Sequence, residues 1–121
     1  MVVKKKIKPL MPSLRERKRY LAFEIVSERP IENFRAVNDA IWSKSLEFIG
    51  ELGCSEAGII VMHEKYNIEK QRGVVRVNNK NLNKLRATLA LIEQIEDTNV
   101  IVRSLGASGV LKKVDEKFIA G

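Results

Sequence analysis

The order of apolar periodicities along the chain constrains its fold more than any other feature. Tyr20–Val26 alternates with period two, placing Leu21, Phe23 and Ile25 on one side, as a half-buried strand does. Pro30 suits the first position of a helix. Beyond it Ile31, Phe34, Val37, Ile41, Phe48 and Leu52 recur at helical spacing, and Trp42, Leu46 and Ile49 widen the stripe. The stripe slips by one residue near Ile41 and Trp42, so this segment reads as one helix or two, closed by Gly50 and Gly53. Ala57–Tyr66 and Lys70–Asn78 read as the second and third strands, with a turn near Asn67. Leu82, Leu85, Leu89, Ile92 and Ile95 mark a second helix started by Asn79 or Asn81. Val100–Ser104 is a fourth strand and 106–109 a loop. Val110, Leu111, Val114 and Phe118 suggest a short final helix.

The resulting order, β-α-β-β-α-β, predicts an α+β ferredoxin-like, RRM-like sandwich. Both helices pack on one face of a four-stranded antiparallel sheet whose first and third strands are central. At 121 residues the chain suits one domain. Pro9 and Pro12 keep the start irregular, which predicts a flexible basic tail over 1–16 and a folded domain over 17–121. The strongest apolar run, 58–62, is far short of the roughly 20 residues of a spanning helix, and no apolar stretch follows the basic N-terminus as in a secretory signal. The expectation is a cytoplasmic protein with no membrane partner. A single cysteine excludes a disulfide scaffold and a cysteine-built zinc site.

Charge is distributed in blocks. The formal net charge is +7, and residues 1–19 alone account for +7. Residues 20–64 carry −5, residues 65–86 carry +6, and residues 87–121 carry −1. A basic tail with a second basic block inside the domain points to a polyanion, because each neutralised phosphate releases counterions. The acidic block repels nucleic acid and suits a protein partner instead.

Groups that could perform chemistry are few. His63 is the lone histidine, placed mid-strand, and Cys54 follows Gly53 at a helix end as a small hydrophobe. Neither has a second ligand or base nearby in sequence. Glu96–Asp97 and Asp115–Glu116 are adjacent pairs at helix ends, and neighbours on a helix do not face each other. Gly106-x-x-Gly109 lacks the Lys-Ser/Thr of a nucleotide-binding loop. It reads as a helix cap or as exposed N–H groups, followed by Lys112 and Lys113, that would meet an anion.

RNA recognition motifs carry aromatic residues on their third strand in a run beginning Lys/Arg-Gly. Here Arg72-Gly73-Val74-Val75-Arg76-Val77-Asn78 keeps the Arg-Gly but puts Val74 and Arg76 at the aromatic positions, with Tyr20 and Glu24 expected alongside. Arg76 and Arg103 are then phosphate or stacking candidates, and Val74, Ala22 and Ile101 an apolar protein-binding surface. The second helix also sets Lys80 and Lys84 in its first turns and Glu93, Glu96 and Asp97 at its end, against the helix dipole. Broken local rules mark functional surface, so its start, with Arg72 and Arg86, is expected to bind phosphate. The full set of expected RNA contacts is Lys4, Lys5, Lys6, Lys8, Arg15, Arg17, Lys18, Arg19, Arg72, Arg76, Lys80, Lys84, Arg86, Arg103, Lys112 and Lys113.

The stretch Leu14-Arg15-Glu16-Arg17-Lys18-Arg19-Tyr20-Leu21-Ala22-Phe23-Glu24-Ile25 resembles the opening of the archaeal ribonuclease P component 2 family, counterpart of a eukaryotic subunit shared by RNase P and RNase MRP. Arg72–Val77 with Leu85–Ile92, and Ser104–Lys113, are similar to its third strand, following helix and closing segment. The likeness spans roughly 14–119, with Val110 standing where a Thr is more usual. The resemblance implies a non-catalytic protein subunit of a ribozyme that removes the 5′ leader of precursor tRNA. It implies RNase P RNA, precursor tRNA and protein component 3 as partners, and admits a homodimer within a heterotetramer. It implies no cofactor or small-molecule substrate for this chain, magnesium being required by the RNA. Two other readings stand beside it. One is a scaffold module of another, ribosome-linked particle. The other is a small acylphosphatase, disfavoured because Glu28-Arg29-Pro30 follows the first strand in place of a glycine-rich loop with its arginine.

Overall fold

A computed structural model of the chain describes residues 17–120. In chain order its elements are β1 (Lys18–Ser27), α1 (Phe34–Phe48), α2 (Glu51–Ala57), β2 (Ile60–Val61), β3 (Arg72–Asn78), α3 (Leu82–Ala90), β4 (Gln94–Ile95), β5 (Thr98–Ser108) and α4 (Leu111–Val114). A π-helical turn over Asp115–Ile119 continues α4. The sheet order is β2-β3-β1-β5-β4, and every neighbouring pair is antiparallel. This is the expected α+β sandwich, with five strands in place of four.

The inner face is the main core. Leu21, Phe23 and Ile25 of β1, Val75 and Val77 of β3, and Val100 and Val102 of β5 meet Val37 and Ile41 of α1 and Leu85 and Leu89 of α3. Period-two and period-3.6 stripes bury against each other because each element has one apolar side.

Several boundaries differ from the sequence expectation. Pro30 precedes extended backbone, and α1 starts at Phe34, where the Asn33 side chain accepts a hydrogen bond from Arg35 N at 3.0 Å. The 31–53 segment is two helices, broken at Gly50 with φ +88° and not at Ile41 and Trp42. A left-handed backbone of that kind suits glycine. Ala57 ends α2, only Ile60 and Val61 pair with β3, and His63–Lys65 forms a 3-10 turn, so Ala57–Tyr66 is not one strand. That departure lets Tyr66 fold over and donate its hydroxyl to Ile31 O at 2.6 Å.

The second helix stops at Ala90, and Ile95 belongs to β4. Glu96 and Asp97, with φ 52° and 62°, form the two-residue turn from β4 to β5. They are therefore not at a helix end. β5 runs on to Ser108, and Gly106, Ala107 and Ser108 pair with Ala22, Leu21 and Tyr20. No open loop of N–H groups precedes the last helix.

The outer face of the sheet is not the open apolar surface that was expected. Ala22 and Val74 are fully buried beneath Val114 and Ile119, in a second small core edged by Tyr20, Met62, Leu105, Leu111 and Phe118. Gly106 allows this closure: a Cβ there would stand 2.6 Å from Phe118 Cζ. Polar ties fasten the chain end. Arg72 Nη1 donates to Phe118 O at 3.1 Å, Asn67 Nδ2 donates to Ile119 O at 3.1 Å, and Lys65 pairs with Asp115 at 3.4 Å. Ile101 alone of the three expected docking residues stays in solvent, 64% exposed.

Candidate nucleic-acid interface

Because β1 is antiparallel to both β3 and β5, its start lies beside the ends of the other two. Arg17 O accepts from Asn79 N at 2.8 Å, and Arg19 Nε donates to Asn79 Oδ1 at 2.9 Å. Arg19 also lies against Gly109. The start of α3, with Lys80 and Lys84, and the start of α4, with Lys112 and Lys113, therefore join Arg17, Lys18 and Arg19 at one end of the sheet. Among the described residues none of these seven forms an ion pair. Lys4, Lys5, Lys6, Lys8 and Arg15 lie outside the described residues; the chain carrying them joins the domain at Arg17.

Local structure explains the cation-bearing start of α3. The Asn78 side chain accepts from Asn81 N at 3.0 Å and donates to Glu56 O at 2.8 Å, closing a 3-10 turn over Asn79–Asn81. Lys80 is exposed on that turn and Lys84 on the first turn of α3. Arg86 is exposed further along the helix. The dipole mismatch holds only at this end, since Glu93, Glu96 and Asp97 lie beyond Ala90.

Two of the other strand arginines, Arg72 and Arg103, are engaged elsewhere. Arg72 Nε donates to Glu24 Oε2 at 3.1 Å and Arg103 Nε donates to Glu24 Oε1 at 2.8 Å. Burial by itself would raise the Glu24 carboxyl, but the hydrogen bonds and charges of Arg103 and Arg72 outweigh it and hold it below the ordinary carboxylate value. Arg72 sits at the opposite end of β3 from Asn78, about 20 Å away at roughly 3.3 Å per residue. It is thus no neighbour of the α3 start, and its charge is neutralised. Arg76 differs. It faces Tyr20 across β1–β3, and its Nε is buried with no hydrogen-bond partner.

The far end of the sheet gathers acid. Glu28 follows β1, Glu69 precedes β3, and Glu96 and Asp97 precede β5. Arg29 and Lys70 are the interspersed cations.

Burial pushes the Cys54 thiol up, away from the reactive thiolate. His63 is exposed and stacks on Phe34, ring centroids 4.6 Å apart, in a 350 Å³ cleft with Tyr66. Among the described residues no group of three His, Cys, Asp or Glu is placed to hold a metal, and no helix is long and apolar enough to cross a membrane.

Sequence reasoning missed Glu24 as a hub. Its acidic side chain on the outer side of β1, between two arginine-bearing strands, was the available signal, and only the strand order reveals it.

Residues 19–119 match the Rpp14/Pop5 family. The chain belongs to that family. Relatives named ribonuclease P protein component 2 extend across it almost end to end. The one from Thermococcus gammatolerans is 38% identical over 118 residues, covering 98% of this chain and 96% of the relative. The Thermococcus kodakarensis protein is 36% identical with the same coverage. That of Pyrococcus horikoshii is 34% identical over 116 residues, 96% of this chain and 94% of its own. Among solved structures, a chain in the cryo-EM structure of yeast ribonuclease MRP superposes with a TM-score of 0.60. It is 14% identical and the match covers 84% of this chain and 91% of that one, a likeness of fold.

Proposed function

We propose that this family member is the component-2 protein subunit of ribonuclease P, binding the catalytic RNA and working with it on the 5′ leader of precursor tRNA. The observation that carries the reading is the one end of the sheet where seven cations stand without carboxylate partners among the described residues. Free cations on a fixed scaffold neutralise phosphates, release condensed counterions, and let RNA helices approach each other. The chain contributes electrostatics and position, while bond cleavage belongs to the RNA and its magnesium. The scarcity of convergent acid, base or nucleophile groups supports that division. The near full-length match to relatives named ribonuclease P protein component 2 supports the choice of particle.

The acidic side of the domain suits a protein partner, and component 3 is the partner we assign to it. Asp39, Glu47 and Glu51 are exposed on α1 and α2, beside Phe48 and Leu52, the latter 73% exposed. A homodimer within a heterotetramer is compatible with two such surfaces. We assign no small-molecule substrate or bound cofactor to this chain and place it in the cytoplasm.

Titration of RNase P RNA with the Lys80→Glu/Lys84→Glu variant tests the reading. Affinity should fall about tenfold or more at low salt, and the slope of log affinity against log salt should shrink by about 2. With component 3 added, the wild-type chain should lower the magnesium needed for precursor cleavage. Unchanged affinity and slope, together with an unmoved magnesium requirement, would overturn it.

A further inference from the structure

Among the described residues, one strip of the outer sheet face lies beyond the last helix and places an aromatic ring beside an arginine. Across β2, β3, β1 and β5 the side chains in register are Ile60, Arg76, Tyr20 and Ser108. The next row, Val74, Ala22 and Gly106, is sealed by α4 and the turn that follows it. The C-terminal helix therefore leaves the Tyr20 row along its margin.

Tyr20 packs against the small outer core and is only half-buried. On the outer face Arg72 and Arg103 are neutralised by Glu24, whereas Arg76 beside Tyr20 forms no ion pair among the described residues. Its Nε is one of two buried side-chain polar atoms without a partner among the described residues, the other being Ser45 Oγ. Buried donors are nearly always bonded, so an orphan in a cationic side chain asks for an explanation. Ile60 and Val110, both close to half exposed, add apolar surface near the strip, and Lys112 is exposed at the start of α4.

We propose that the Tyr20–Arg76 strip is a binding site for one unpaired nucleotide of a bound RNA. The base lies on the Tyr20 ring and the Arg76 guanidinium, and the attached phosphates lie among the surrounding cations. This deepens the RNA-binding reading and rests on it. The chemistry is that of single-strand recognition: an aromatic face takes any base, and a guanidinium adds cation–π attraction. Duplex RNA has no free base face to offer, because its bases are stacked within the helix. The strip thus reads looped or bulged nucleotides, whereas the lysines at the same end read phosphate on either kind of RNA.

Two RNAs of equal nucleotide count and charge separate these roles, a fully paired blunt duplex and a duplex whose strands are chosen so that one carries a bulged 2-aminopurine. The wild-type chain should bind the bulged RNA more tightly and quench its fluorescence. Tyr20→Ala should weaken bulge binding about fivefold or more, leaving affinity for the paired duplex and the salt slope unchanged. Tyr20→Phe should restore bulge binding, and Arg76→Gln should lower it. If Tyr20→Ala loses its fold, as thermal melting would show, the wild-type quench and Arg76→Gln still decide. Equal wild-type affinity for the two RNAs without quenching, or equal weakening of both by Tyr20→Ala, overturns the site. Failure of the wild-type chain to bind either RNA overturns the RNA-binding reading beneath it.

Discussion

On the inner face of the sheet, two long helices press a continuous apolar layer onto β1, β3 and β5. On the outer face, four buried residues and one short helix form a smaller apolar layer, and polar ties fasten the chain end over it. The inner layer is held by non-directional burial, which needs many atoms and no particular partner. The outer layer is held by a few named contacts, so it can stop short and leave Tyr20 and Arg76 open. A small domain thus keeps most of its apolar burial on one side and, on the other, leaves a strip to which we assign a binding role.

This contrast can be broken by experiment. The largest effect is expected from Leu85→Ala on the inner face. Leu85 is fully buried, and its truncation should cost about 3 kcal/mol, read as a cooperative loss of the whole domain in urea. Gly106→Val should cost about 2 kcal/mol by forcing the Phe118 ring off the sheet. Its signature is local: faster hydrogen exchange over 110–120, with α1 and α3 still protected. A global collapse as deep as that of Leu85→Ala would show that the two faces are not separable.

Glu24→Gln sharpens the comparison at its weakest point. Loss of the carboxylate should cost about 1 kcal/mol at neutral pH, discounted because Arg103 is well exposed. The folded-state value of Glu24 is lowered, so its contribution is present above the ordinary carboxylate range and fades as pH falls through the lowered value. An acid unfolding series should therefore show wild type and variant drawing together as pH falls below the ordinary carboxylate range. Parallel curves would remove Glu24 from the account.

Much of the inner face was legible in the chain. Leu21, Phe23 and Ile25 alternate, Leu85 and Leu89 stand one helical turn apart, and the sandwich buries those stripes against each other. Where the stripes were ambiguous, the reading failed. Ile92 and Ile95, three residues apart, fit a helix and equally a turn leading into a short strand. Val74 and Val75, both fully buried, face opposite sides of β3, and no periodicity says what covers the second side. Gly106-x-x-Gly109 has loop composition, yet its first three residues are drawn into the ladder with β1.

The site divides in the same way. Clustering of charge in residues 1–19 and 65–86 was plain from counting. Lys80, Arg72 and Arg103 look alike in the chain, whereas in space Lys80 has no ion pair among the described residues and the other two are held by Glu24.

The sequence alone determined the alternation of elements, the apolar layer between helices and sheet, and the surplus of positive charge. Each follows from local spacing and composition, which act between near neighbours. Strand order and register decided which cations are free, where they gather, and which strip of the sheet the last helix leaves bare. Those are properties of residues as distant in the chain as Arg17 and Asn79, and only the antiparallel pairing that brings them within hydrogen-bond reach gives them a common surface.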